Sequence, residues 1–460
     1  MPQLILFIFL LLAAWLIRRD IRQRPELSTI GIWIPTIWVG IIASRPLSAW
    51  VGFSGSYDSL DGSPVDRMFY LTMIVAASLT LLQRPFGVTR ALGQAWPVVL
   101  FYGFLLLSVI WANSFEASLK RWVKETGNIV VALVILTEAS PLQAIRAVFV
   151  RCAFVLIPLS LIFIRHFPEL GRRYSVHGGG MESIGVTFQK NSLGTMLLVC
   201  GFVFVWDWLE RTRDRTNPPP ILDRAVAAGI TGIGIWLFIL CDSKTTMLAL
   251  VVGAAILIGI RVPALHKRIS SFGVYAVAVA GTFFVIDREV GLTEAIVKAL
   301  GRDMTFTGRT EVWRELLSVG TDPTFGTGFM SFWDDTFFQD KLPRWARAGS
   351  AHNGYIEIYL AGGAVGVIFL ALMLVGTGIK INRDLGRGGN YPVVRFAVFV
   401  ATLIANFSES NFACMTPLGF LFLLVSFGQL ETRRDAVPFN NDLPPADIER
   451  MPVEHPRTNP

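Results

Sequence analysis

Ser350-Ala351-His352-Asn353-Gly354-Tyr355-Ile356-Glu357 is the boundary on which the fold of this chain turns. A polar stretch, 287–353, ends in it, and an apolar run, 355–378, starts in it. The same polar stretch carries Thr307-Gly308-Arg309-Thr310-Glu311-Val312-Trp313. Almost every other connection between apolar runs is short. A long hydrophilic segment with a histidine and several arginines, re-entering an apolar run at once, is where chemistry is to be sought.

Composition sets the solvent. Of 460 residues, 53% are hydrophobic and 16% charged, with mean hydropathy +0.53. An ordinary soluble domain carries about 25% charged residues. The apolar runs recur from end to end, so 1–430 reads as one integral membrane domain rather than two or three soluble ones. A run of roughly 17–25 apolar residues crosses a ~30 Å hydrocarbon core as a helix, because a helix satisfies its own backbone there. Candidate spans lie near 3–17, 28–44, 68–82, 95–112, 126–138, 147–164, 192–209, 225–241, 246–260, 271–286, 355–378, 393–407 and 414–430. The expectation is an all-α polytopic membrane protein of about 12–13 transmembrane helices. Residues 431–460, rich in Pro, Asn and charge, read as a disordered cytoplasmic tail.

Charge placement sets topology. Arg18, Arg19, Arg22 and Arg24 follow the first apolar run, and positive charge in short loops marks the cytoplasm. The loops holding Arg84/Arg90, Arg211/Arg213/Arg215, Arg261/Lys267/Arg268 and Lys380/Arg383/Arg387 then share that side, and 287–353 faces the periplasm. Met1–Ile17 lacks a basic start and a small-residue cleavage site, so it reads as a retained anchor. The net charge of +7 suits loops facing anionic lipid. Nucleic acid is not expected, since no basic run is interleaved with aromatics. The four cysteines, Cys152, Cys200, Cys241 and Cys414, sit in or beside apolar runs without metal-ligand spacing and read as small buried hydrophobes.

Four places carry candidate chemistry. His352 precedes the run 355–378, at the positive end of the expected helix, where a neutral imidazole can take a proton from a hydroxyl. The bland alternative is a polar residue at a helix start, with Asn353 as cap. Arg309 opens a short amphipathic helix whose apolar face is Val312, Trp313, Leu316 and Leu317. A cation in a first turn opposes the helix dipole unless an anion joins it, so Arg309 suits a phosphate. Arg314, further along, reads as a solvated face. Lys244, in the tight turn Cys241-Asp242-Ser243-Lys244-Thr245-Thr246, either reaches an anion or snorkels. Lys190, in Phe188-Gln189-Lys190-Asn191-Ser192-Leu193-Gly194, lies at another span start. His177-Gly178-Gly179-Gly180 lacks the strand–turn–helix setting of a dinucleotide site, and no phosphate-binding G-x-x-x-x-G-K-[ST] occurs. Asp334-Asp335 and the loop acids Asp58, Asp61 and Asp66 complete no metal-ligand set.

These segments, in this order, resemble the O-antigen ligase and Wzy-type polymerase family, exopolysaccharide polymerases included. The resemblance spans 185–425. It rests on Phe188–Gly194, Asp242-Ser243-Lys244-Thr245, Thr307-Gly308-Arg309 with Trp313, Gly326-Thr327-Gly328-Phe329, Phe332-Trp333, Ala351–Glu357, Gly362-Gly363-Ala364-Val365-Gly366 and Ser408-Glu409-Ser410-Asn411. It implies a GT-C-like helical fold in the bacterial inner membrane and a periplasmic site. It further implies a polyprenyl-diphosphate-linked glycan donor, a glycan or lipid-core acceptor, and neither metal nor cofactor. A polysaccharide assembly complex is a further partner. On this resemblance His352 and Arg309 are catalytic and Lys244 and Lys190 bind substrate; Arg314 and Glu357 are further candidate substrate-binding residues. Lys244 stands where the family usually has arginine, and it lacks arginine's bidentate fork. Two other readings stay open: a flippase for lipid-linked glycans, and a non-catalytic subunit of an assembly complex. A flippase would place cations within spans and show repeat symmetry, whereas the charges here cluster at span ends.

Overall fold

The structure is a computed structural model that describes residues 2–27, 30–52, 62–174, 180–212, 218–259, 309–347, 349–387 and 391–428. The expected span 271–286, the polar stretch up to Gly308, the glycine loop from His177 to Gly179, Asp58, Asp61 and the tail 431–460 lie outside the described residues.

The protein is an all-α polytopic membrane protein. The sheet among the described residues is one short antiparallel pair, Arg172–Tyr174 with Met181–Ser183. Five described helices are long and apolar enough to cross a membrane: Pro64–Leu82, Pro141–His166, Lys190–Arg211, Ile221–Cys241 and Gly354–Gly386. A bent pair, Gly87–Gln94 and Trp96–Trp111, meeting at 84°, makes a sixth. Several of the other apolar runs fold into shorter helices, because caps and turns consume their ends. The run 414–430 is an example. Its helix is only Pro417–Phe427, capped by Thr416, whose Oγ accepts from Gly419 N at 3.1 Å, and stopped by Gly428 at φ 88°.

Burial sorts the helices. Pro141–His166 and Lys190–Arg211 are each 72% buried over their apolar windows and form the centre, while Pro64–Leu82, at 11%, turns most of its surface outward to lipid. The expected amphipathic helix is present as Arg309–Ser318. Leu316 is buried on it, but Leu317 is 53% exposed, one position off the apolar face assigned from periodicity.

Charges gather at one end of the bundle. Asp20 pairs with Arg24 at 3.0 Å and Arg151 at 2.9 Å. Asp207 pairs with Arg24 at 2.6 Å and with Arg146 and Arg211, both at 2.7 Å. These pairs join the helices Pro2–Gln23, Pro141–His166 and Lys190–Arg211 at one end. A charge withdrawn from water needs such a partner.

The helix Gly354–Gly386 is broken. Gly363 has φ 58° and ψ −154°, a conformation essentially reserved for glycine. The segment 322–328 fills the break. Thr327 N and Gly328 N donate to Leu360 O and Ala361 O, both at 2.9 Å. In return, Ala364 N and Val365 N donate to Pro323 O at 2.8 Å and Thr324 O at 3.1 Å. A break leaves orphan carbonyls on one side and orphan N–H groups on the other, and this one segment satisfies both. Asp322 shapes it by accepting from Thr324 N at 2.7 Å and Phe325 N at 2.9 Å. The Phe325 and Thr324 N–H groups hold the Asp322 carboxyl below the usual carboxylate range. Buried Arg121 pairs with Asp334 and donates to Met330 O at 2.8 Å, fixing the far side of the same loop.

Gly363→Ala is expected to destabilise the protein. Its Cβ would lie 2.3 Å from Thr324 C, and the backbone strain alone is about 1–3 kcal/mol. Gly378→Ala in the same helix, whose Cβ meets nothing nearer than Phe399 at 3.7 Å, is the control. Thermal unfolding in detergent should show a lower midpoint for the first variant and no loss for the second; equal midpoints would refute the role given to the break.

Candidate active site

Two polar turns, 350–353 and 406–411, are locked face to face by Asn406. Gly354 N donates to Asn406 O at 2.9 Å, Asn411 N donates to Asn406 Oδ1 at 2.9 Å, and Asn406 Nδ2 donates to Thr402 O at 2.8 Å. A Cβ at position 354 would sit 2.1 Å from Asn406 Oδ1, so glycine is required there. Asn353 caps the following helix, its Oδ1 accepting from Tyr355 N at 3.0 Å and Ile356 N at 3.2 Å.

His352 takes a left-handed backbone, φ 47°, an uncommon setting for a residue with a Cβ. The surroundings hold it there. His352 N donates to Ser350 Oγ at 3.1 Å, and Trp313 Nε1 donates to Ala351 O at 2.8 Å. Glu357 organises the turn. Its Oε1 accepts from Ser350 Oγ at 3.0 Å and Ala351 N at 2.6 Å, and its Oε2 from Trp333 Nε1 at 3.0 Å. Expected to bind substrate, Glu357 instead spends both oxygens on the loop that carries His352.

Glu409 joins the two central candidates. Its Oε2 lies 3.4 Å from His352 Nδ1, and its Oε1 lies 3.2 Å from Arg309 Nη2. Arg309 Nη1 also donates to Ser408 O. An ionised carboxylate only accepts, so the imidazole facing it carries its proton on Nδ1. Nε2 is then left with a lone pair, able to receive a proton. Arg309 has five N–H donors, and Glu409 and Ser408 do not exhaust them.

Beside this cluster lies a cavity of about 340 Å³ lined by Glu409, Ser410, Asn411, Phe188, Gln189 and Ser192, with Lys124 and Tyr70 on its wall. The 188–192 motif therefore reaches the site through its neighbours and not through Lys190, which pairs with Glu182 at 2.8 Å. Lys244 pairs with Asp242 at 2.7 Å. Its turn abuts the same motif, since a Cβ on Gly194 would meet Thr246 Oγ1 at 2.5 Å and Ser243 Cβ at 2.8 Å. Arg314 is exposed, and five residues beyond Arg309 it points roughly 140° away around the helix. The described contacts thus unite Arg309 and His352, and leave Lys190, Lys244 and Arg314 outside the cluster. Among the described residues, no three His, Cys, Asp or Glu side chains gather as a metal would need.

Residues 229–371 match the family described as O-antigen ligase. That stretch resembles the O-antigen ligase family. The exopolysaccharide production protein ExoQ of Rhizobium meliloti is 23% identical over 345 residues, which cover 72% of this chain and 76% of that protein. The ligase-matched stretch contains Lys244, Arg309, His352 and Glu357, and stops short of Glu409.

Two residues escaped the sequence reading. Glu409 stood in a polar turn, Ser408-Glu409-Ser410-Asn411, that was legible as a motif but gave no residue a role. Buried Arg45 was a lone charge at the end of an apolar run. It donates to Gly185 O at 3.2 Å and Thr187 O at 3.1 Å, with its guanidinium 5.2 Å from the Phe188 ring centre. It thereby fixes the approach of the 188–192 motif to the candidate site.

Replacing Glu357 with alanine is expected to orphan three donors, at about 1–3 kcal/mol for each one left without water. Hydrogen exchange over 350–353 should rise and the unfolding midpoint fall, while Glu311→Ala, exposed on the helix Arg309–Ser318, should change neither. An unchanged exchange rate in the Glu357 variant would remove its positioning role.

Proposed function

We propose that this protein is a membrane glycosyltransferase that polymerises or ligates a polyprenyl-diphosphate-linked glycan in surface polysaccharide biosynthesis. The reading rests on one observation above all: a single carboxylate, Glu409, bridges the Arg309 guanidinium and the His352 imidazole. His352 Nε2 takes the proton of an acceptor hydroxyl. That oxygen forms a bond to the anomeric carbon as the bond from that carbon to the diphosphate oxygen breaks, and the lipid diphosphate leaves with the electron pair. The remaining Arg309 donors and the N-terminal end of its helix meet the charge on the departing oxygens. Glu409 holds the imidazole in the productive tautomer and stabilises the imidazolium once formed.

The cavity beside Glu409, with hydroxyl, amide and aromatic walls, suits an acceptor sugar. The exopolysaccharide role named for ExoQ favours polymerisation, with a second glycan chain as acceptor, over ligation to a lipid core. The protein sits in the bacterial inner membrane with this site at the periplasmic face, alone or within a polysaccharide assembly complex.

The test is consumption of a defined polyprenyl-diphosphate oligosaccharide by purified protein supplied with candidate acceptors. His352→Ala should lower kcat by about 10²–10⁴-fold, the usual worth of a positioned general base. Arg309→Lys should raise the donor KM, because lysine keeps the charge and loses the fork. Glu409→Gln should lower kcat and also shift the donor KM, since the same carboxylate holds both His352 and Arg309. Full turnover by the His352 variant would refute the assignment, as would movement of glycolipid across vesicles with no transfer.

A further inference from the structure

The helix Gly354–Gly386 starts at the His352 turn and ends at a second polar cluster, on the opposite end of the bundle. There lies a cavity of about 400 Å³, lined by Gln94, Trp96, Pro97, Lys380, Arg383 and Arg387, with Asp384 in its wall. The helix Gly354–Gly386 supplies the basic side, and the bend between Gln94 and Trp96 supplies the other.

The electrostatics are unbalanced. Fully buried Arg395 takes Asp384 Oδ2, and Arg387 Nη1 lies 3.6 Å from Asp384 Oδ1. Among the described residues, Asp384 is the one carboxylate lining a cavity that also holds three cations. Arg395 and Arg387 share this one carboxylate, so among the described residues the cavity lining carries more positive than negative charge, with Lys380 and Arg383 adding to the excess. Lys380 Nζ donates to Gln94 O at 3.2 Å and to Phe427 O, which uses two of its three donors and fixes it at the bend. The first turn of the helix Trp96–Ser108 adds the positive end of a dipole. Arg395 Nη2 is buried without a hydrogen-bond partner among the described residues. Cations held this close repel one another unless an anion joins them.

The surroundings select the anion. Trp96 is 55% exposed and Ile379 is 66% exposed, both on the cavity wall. Tryptophan beside basic side chains is the pattern of a membrane–water interface. A phosphate group at that level arrives on an acyl chain that lies along such apolar surface. We propose that this cavity binds the phosphate of an anionic phospholipid headgroup, held by Lys380, Arg383 and Arg387, with the acyl chains against Trp96 and Ile379. The site is separate from the glycan-transfer reading and stands or falls without it.

The full-length protein is reconstituted with equal phosphatidylglycerol and phosphatidylcholine, and the retained lipid is counted by native mass spectrometry. Wild type should retain phosphatidylglycerol about tenfold over phosphatidylcholine, and Arg383→Gln/Arg387→Gln should lose that preference, each basic residue near a membrane surface being worth several-fold in binding. Arg383→Lys/Arg387→Lys should restore most of it. Equal retention of both lipids by wild type overturns the proposal, and so does an unchanged preference in the glutamine variant. Loss of the preference on adding millimolar inorganic phosphate would put a free anion in the cavity and overturn the lipid assignment.

Discussion

A broken helix satisfied by an external loop is the constraint on which the rest of this structure depends. A helix interrupted at Gly363 exposes backbone groups on both sides of the interruption, and a membrane protein cannot leave them unpaired. The segment 322–328 answers with N–H groups to Leu360 and Ala361 and carbonyls to Ala364 and Val365. This exchange sews the long polar stretch to the helix that carries His352. With that seam in place, Trp333 reaches Glu357, Glu357 holds Ser350 and Ala351, and His352 keeps its left-handed backbone. Each link is a single hydrogen bond of modest worth, but a buried donor left unmade costs about 1–3 kcal/mol, so the chain is rigid where it matters.

The two ends of the bundle use charge differently. At one end, Asp20 and Asp207 are shared among four arginines, and at the other, Glu409 is shared between Arg309 and His352. The first arrangement saturates its carboxylates with cations drawn from several helices and locks them. The second leaves Arg309 with spare donors and the imidazole with a spare nitrogen. The first cluster fastens helices together, and the second keeps guanidinium donors and an imidazole nitrogen that the proposed reaction would use.

Much of this was legible in the sequence. Helical periodicity marked the short helix at Arg309, the polar-to-apolar step at Gly354 marked the start of the His352 helix, and composition marked the membrane. Pairing was not legible. Glu409 is 57 residues from His352 and 100 from Arg309, and nothing local to any of the three reveals that they meet. Glu357 was a candidate for substrate binding, and its contacts with Ser350, Ala351 and Trp333 were likewise invisible in the sequence. Leu317 shows the limit of periodicity, since the loop covering one face of a helix chooses which neighbouring positions it buries. Lys190 and Lys244 show the limit of charge counting, because a nearby carboxylate, Glu182 or Asp242, claims each of them first.

A shared carboxylate also constrains how the proposed reaction would proceed. Glu409 neutralises Arg309 while orienting His352, so the resting cluster carries little net charge. A diphosphate approaching Arg309 can therefore bind only through the guanidinium donors that Glu409 and Ser408 leave over, and the helix end that Arg309 begins lies beside them. The same carboxylate remains next to the imidazole, where it stabilises the imidazolium that proton transfer would create. In the proposed reaction, the cation assigned to the leaving group and the base assigned to the nucleophile are thus tied to one anchor. Moving that anchor would disturb both, which makes the spacing of Arg309 and His352 a property of Glu409 rather than of either residue alone.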